Sequence, residues 1–68
     1  MMFRLNATLI RKLLIERRLS IRQLAKQSGL NELTARKVID DGAKVTLRTL
    51  ATLADYFNVD SEKLILKE

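Results

Sequence analysis

The 68-residue chain has no cysteine and no histidine. The first absence removes disulfides, and the two together leave no zinc ligand set of the usual kind. Catalysis has little to work with. Neither glycine belongs to a phosphate-cradling loop, the carboxylates are scattered, and the adjacent Asp40 and Asp41 point apart on a helix. We therefore expect no enzyme, no catalytic or metal-binding residues, no cofactor and no small-molecule ligand. Proline is also absent and glycine occurs twice, which suits an all-α protein without a long disordered linker. No apolar run exceeds three residues, against the ~20 that a membrane-spanning helix needs, and no signal-peptide pattern is visible. The expectation is a cytoplasmic, nucleoid-associated chain that does not engage a membrane.

A single domain over residues 1–68 is the natural reading of the length. A core of that size rarely supplies more than ~3–5 kcal/mol without a staple. With disulfides and metals gone, efficient helix packing or self-association must take their place. What the chain does have is positive charge, unevenly placed. Residues 1–48 hold eleven Lys/Arg against Glu16, Glu32, Asp40 and Asp41, a net of +7, and residues 49–68 carry a net of −2. A basic front with a weakly acidic tail fits a polyanionic partner on one side. The plainer alternative is a soluble domain that happens to be basic.

Caps and periodicity divide the chain into five helices. In "NATLIRKLLIERR", Leu9, Ile10, Leu13 and Leu14 share one face, with Asn6 or Thr8 as cap. Its basic opposite face would suit a membrane surface, but an amphipathic helix packed on its neighbours is the simpler account. Ser20 and Gln23 form a capping box for the second helix, whose Ile21, Leu24 and Ala25 face inward, and Gly29 ends it. Asn31 caps the third, "ELTARKVID", with Ala35, Val38 and Ile39 inward and Gly42 after it. Thr46 caps "LRTLATLADYF", with Leu47, Leu50, Leu53, Ala54 and Phe57 inward, and Asp60 caps a short "SEKLIL". The N-terminal "MFRLN" alternates like a strand and is expected either to pair with the tail "LILKE" or to fray.

Only "SGLN" separates the second and third helices. A connection that short, containing glycine, sets two helices at a wide angle and leaves the start of the second one projecting. Small residues belong where such helices cross. Ala25, Gly29, an inward Ala35 and Val38 make a helix-turn-helix pattern over about residues 20–42.

On these residues, and on "LSIRQLAKQSGLN" and "TLRTLATLADYFNVDSEKL", the chain resembles the lambda repressor/Cro-like (XRE family) helix-turn-helix regulators. The resemblance runs from about Leu9 to Leu64. It implies a compact five-helix lambda-repressor-like DNA-binding domain with the motif in helices 2 and 3. It implies a sequence-specific transcriptional regulator, a repressor, that acts on double-stranded DNA as a homodimer. The chain departs from the family at three places. A buried Arg on helix 1 paired with a Glu near the end of helix 3 is replaced by Leu14 and Ile39, which are expected to touch. A Gln near the start of helix 2 is replaced by Ile21, so its hold on phosphate is absent or passes to Arg22. Asp40 and Asp41 stand where relatives are neutral or basic, and would weaken DNA binding unless they point away.

Carried over residue by residue, the resemblance makes Ser20, Arg22, Asn31, Glu32, Leu33, Thr34, Arg36, Lys37 and Lys44 the DNA-facing set. Ser20, Arg22, Asn31 and the first N–H groups of helix 3 suit phosphate. Glu32 suits cytosine N4, Leu33 a thymine methyl, and Arg36 or Lys37 guanine O6/N7. Lys44, in the loop after helix 3, suits the flanking backbone. Each has a plainer reading too: solvated charge for Arg36 and Lys37, a lone exposed apolar residue for Leu33, helix-dipole stabilisation for Glu32. Dimer contacts are expected from the tail, helix 5 and Phe57. Two other functions compete with the regulator, a protein-interaction adaptor that keeps the fold, marked by Ile21, Asp40 and Asp41, and a non-specific nucleoid binder.

Overall fold

Five helices and two short strands make up the computed structural model, which describes residues 2–66. They are β1 (Met2–Arg4), α1 (Ala7–Glu16), α2 (Ile21–Ser28), α3 (Glu32–Asp41), β2 (Lys44–Thr46), α4 (Leu47–Phe57) and α5 (Ser61–Leu64). The caps explain most of the boundaries. Asn6 Oδ1 accepts the Leu9 N–H at the head of α1, and Thr46 Oγ1 accepts the Thr49 N–H at the head of α4. Ser20 and Gln23 bond reciprocally at the head of α2, at 2.9 and 3.1 Å, so the capping box is complete. Asp60 occupies the N-cap position of α5, but its side chain makes no cap hydrogen bond. The helix that follows is one turn long.

Helix ends are set by left-handed residues. Gly29 (φ +82°) and Gly42 (φ +68°) end α2 and α3, positions where glycine avoids the clash a Cβ would bring. Two ends use larger residues. After α1, the Leu19 N–H reaches the Leu14 carbonyl and the Arg18 N–H the Ile15 carbonyl, a Schellman pattern that puts Arg18 at φ +55°. Asn58, at φ +56°, does the same after α4.

The helices bury one contiguous core. Ile10 and Leu14 of α1 meet Leu24 of α2, Val38 and Ile39 of α3, and Leu50, Leu53 and Phe57 of α4. Burial of each such side chain contributes about 1.5–3 kcal/mol. Leu14 and Ile39 both lie in this core, on helices that pack together, so no charge is buried where the family places its ion pair. Among the described residues no polar or charged residue is buried. The cavity where α2, α3 and α4 meet, lined by Leu24, Leu30, Ala35, Val38 and Leu53 among others, measures only about 10 Å³.

The small sheet differs from the expectation. β1 pairs antiparallel with β2, Phe3 opposite Val45 and Arg4 opposite Lys44. On its other edge the chain bridges Leu5 to Ile65, with the Asn6 N–H on the Leu64 carbonyl and the Leu66 N–H on the Arg4 carbonyl. The N-terminal segment therefore lies between β2 and an isolated bridge to the tail, and its expected pairing with the tail is half of its role. This also shortens α5, which ends at Leu64 because residues 65 and 66 turn extended beside β1; Lys67 and Glu68 lie outside the described residues. Leu5 and Val45 point into the core from this sheet.

Two expectations are corrected. Leu47 does not face inward: it is 62 % exposed, because side chains at the first helical residue lean back past the end of the helix, away from the core beneath. Phe57 does face inward, but at 1 % exposed it cannot serve as a dimer contact. The same holds for Leu64, the apolar residue that closes α5, which is fully buried.

Candidate nucleic-acid interface

Eight of the nine expected residues lie at the start of α2 or on α3 and its cap, and Lys44 lies on β2. α3 turns Ala35, Val38 and Ile39 to the core. A helix that buries those positions must present Leu33, Arg36 and Lys37 on its opposite face, and all three are exposed. Leu33 is 61 % exposed, a large apolar side chain held in solvent between charged neighbours. Thr34 flanks the stripe and is also exposed.

Local hydrogen bonds fix what each cap has left to offer. Asn31 Oδ1 accepts the Leu33 N–H at 2.8 Å, which commits its oxygen to the helix and leaves its amide hydrogens for an outside acceptor. Ser20 Oγ likewise accepts from Gln23, so its hydroxyl hydrogen remains available. Both caps stand at helix starts, where N–H groups and the helix dipole favour anions. The caps offer hydrogen-bond donors, the exposed face of α3 offers Arg36 and Lys37, and the Arg22–Glu32 pair brings the starts of the two helices near each other.

Glu32 is held differently from the expectation. Its two oxygens face Arg36 Nε at 3.1 Å and Arg22 Nε at 3.8 Å, tying the first turn of α3 to the first turn of α2. The Glu32–Arg36 half was legible as an i,i+4 pair; the Arg22 half depends on how the two helices meet. Ile21, in place of the family's Gln, is half-buried against the core, and Arg22 beside it is exposed and directed at Glu32.

Lys44 is exposed, but it lies on β2 and not in a loop, directly across from Arg4. The pairing makes Arg4 a neighbour of the set that pattern reading missed, since the contact spans forty residues of sequence. The acidic departure is partly resolved. Asp40 turns to α1, where Arg11 Nη2 donates to its Oδ1 and to the Ile39 carbonyl, both at 3.2 Å. Relative to the positions where the family carries its buried pair, this ion pair sits one turn earlier on α1 and one residue later on α3, at the rim. Asp41 stays exposed.

None of the helices is long and apolar enough to cross a membrane, among the described residues. Neither the comparison with curated proteins nor that with solved structures gives a match. The comparison with protein families does, to the Cro/C1-type helix-turn-helix DNA-binding domain over residues 9–65. That span runs from α1 to the end of α5 and takes in the capping box, the Gly29 turn and the exposed stripe of α3. By this match and by its fold, the chain belongs to the Cro/C1-type helix-turn-helix DNA-binding domain family.

Proposed function

We propose that the chain is a sequence-specific transcriptional regulator, a repressor, that lays α3 in the major groove of double-stranded DNA and works as a homodimer in the cytoplasm, on the nucleoid. The observation that carries this reading is the exposed stripe of Leu33, Arg36 and Lys37 on α3, the helix whose cap, like that of α2, has donors to spare. An α-helix fits the major groove, and residues of its first turns reach the base edges. Lys37 and Arg36 suit guanine O6/N7, Leu33 and Thr34 suit thymine methyls, and Asn31, Ser20, Arg22 and Lys44 hold phosphate. Glu32 keeps acceptor sites for cytosine N4 beside the one that Arg36 uses.

The placement of Asp40 against Arg11 supports DNA binding over the adaptor reading, because one of the two suspect carboxylates is already neutralised at the rim. Occupying the groove denies it to other proteins, so repression is the simplest output of so small a domain. Self-association fits a two-fold operator. Its surface excludes Phe57 and Leu64; Met2 and Leu66, which flank Arg4 on the outward side of the sheet, are the exposed apolar residues nearest the tail.

Selection from a random duplex pool tests the proposal. An enriched, two-fold symmetric site that Arg36→Ala/Lys37→Ala fails to retain supports it. Absence of enrichment together with absence of salt-dependent retention would overturn it.

A further inference from the structure

Glu32 sits at the first residue of α3, with one oxygen hydrogen-bonded to Arg36 Nε at 3.1 Å and the other 3.8 Å from Arg22 Nε, an ion pair with a different helix. Dipole stabilisation accounts for an acidic residue at a helix start. It does not account for a carboxylate placed between the two arginines of the motif. A carboxylate and a phosphate offer guanidinium the same thing, paired anionic oxygens at hydrogen-bonding distance.

We infer that Glu32 is a specificity-determining residue: in the free domain it occupies Arg22 and Arg36, standing in for the phosphate that Arg22 meets on DNA and for the guanine edge, or in a random duplex the phosphate, that Arg36 meets. This rests on the reading that the α2–α3 face binds duplex DNA. Both pairs are solvent-exposed, and exposed pairs are weak enough for a phosphate to replace. The exchange still counts against binding. Non-specific complexes consist almost wholly of phosphate neutralisation, so they bear this penalty undiluted. A specific complex recovers part of it, because Arg36 takes guanine O6/N7 and Glu32 takes a cytosine N4, contacts that a random duplex does not supply in register. Glu32 thereby widens the ratio between specific and random affinity, which is the quantity a regulator needs.

Glu32→Gln keeps the shape and removes the charge; Glu32→Ala removes the hydrogen-bonding oxygens as well. Glu16→Gln, at an exposed site near the end of α1, removes the same charge from a place with no such role. The measurement is affinity for a random-sequence duplex over a salt series, for these variants and in an Arg22→Ala/Arg36→Ala background. We expect both Glu32 variants to bind about tenfold tighter than the parent at low salt, with a salt slope steeper by about one to two units. Glu16→Gln should shift affinity less than about twofold, since a distant exposed charge is screened. Without the two arginines the Glu32 gain should shrink to that value, and for a selected site the specific-to-random ratio should fall.

A parent that binds duplex while the Glu32 variants bind no tighter overturns the inference and leaves the DNA reading standing. So does a gain that persists without the arginines. If parent and variants alike bind no duplex at any salt, both readings are overturned together.

Discussion

The guanidinium of Arg17 lies 5.3 Å from the centre of the Phe57 ring and donates to the Phe57 carbonyl at 2.7 Å. A second donor reaches the Tyr56 carbonyl at 3.5 Å. One side chain from the end of α1 thus closes the C-terminus of α4, satisfying carbonyls that the helix leaves unpaired and placing positive charge at the negative end of its dipole. It also covers the ring that anchors the core. We expect Arg17→Ala to destabilise the domain by about 2 kcal/mol, from a charged hydrogen bond and a cation–π contact. That is a fall in melting temperature of roughly 8–16 °C for a domain of this size, read by circular dichroism. Arg17→Lys should recover only part, because an ammonium cannot stack and fork at once.

Leu14 and Ile39 test how the family's buried ion pair was replaced. Leu14→Arg or Ile39→Glu alone would bury an unpaired charge and destabilise by about 3–5 kcal/mol, enough to unfold most of the population. Introduced together, the two should recover at least ~2 kcal/mol of that loss, since the buried charges then pair, measured by urea denaturation. A coupling near zero would mean that the side chains do not meet.

The N-terminal strand is held on both edges. Leu5 is 2 % exposed between β2 and the tail, so Leu5→Ala should cost about 2–5 kcal/mol, as for other core truncations. Deleting residues 1–5 should leave a chain with no cooperative melt. A frayed terminus would instead tolerate both changes.

Arg18 adopts a left-handed backbone that a side chain resists by ~1–2 kcal/mol. Arg18→Gly should therefore raise stability by about 0.5–1 kcal/mol, a shift in the urea midpoint at unchanged slope. No change would mean that the Arg18 side chain makes an offsetting contact.

What the sequence made legible was whatever is local. Ser20 with Gln23, Asn31, Gly29 and Gly42 act within one turn, so caps and ends could be read from spacing alone. α4 runs over the expected residues 47–57 for the same reason. The core positions followed from the helical period, except Leu47, whose first-turn position sends it past the core edge. Non-local partners were illegible. Val45 opposite Phe3, Arg17 beneath Phe57, Arg11 against Asp40 and Arg22 beside Glu32 each depend on how elements meet after folding. Arg18 gave no signal, because left-handed ends normally announce themselves with glycine or asparagine. In the candidate site, the exposed stripe of α3 and the Glu32–Arg36 pair followed from its period, whereas the approach of Arg22 to Glu32 did not.

Two copies of α3, each in the major groove of one half-site, would leave a distinct chemical footprint on the DNA. Methylation interference on a selected site reads that footprint, because guanine N7 lies in the major groove and adenine N3 in the minor. We expect loss of binding from N7 methylation in two half-sites about 10 bp apart, one helical turn, with adenine N3 methylation there without effect. Interference from the minor groove alone, or N7 interference confined to a single half-site, would be incompatible with a dimer docked through α3.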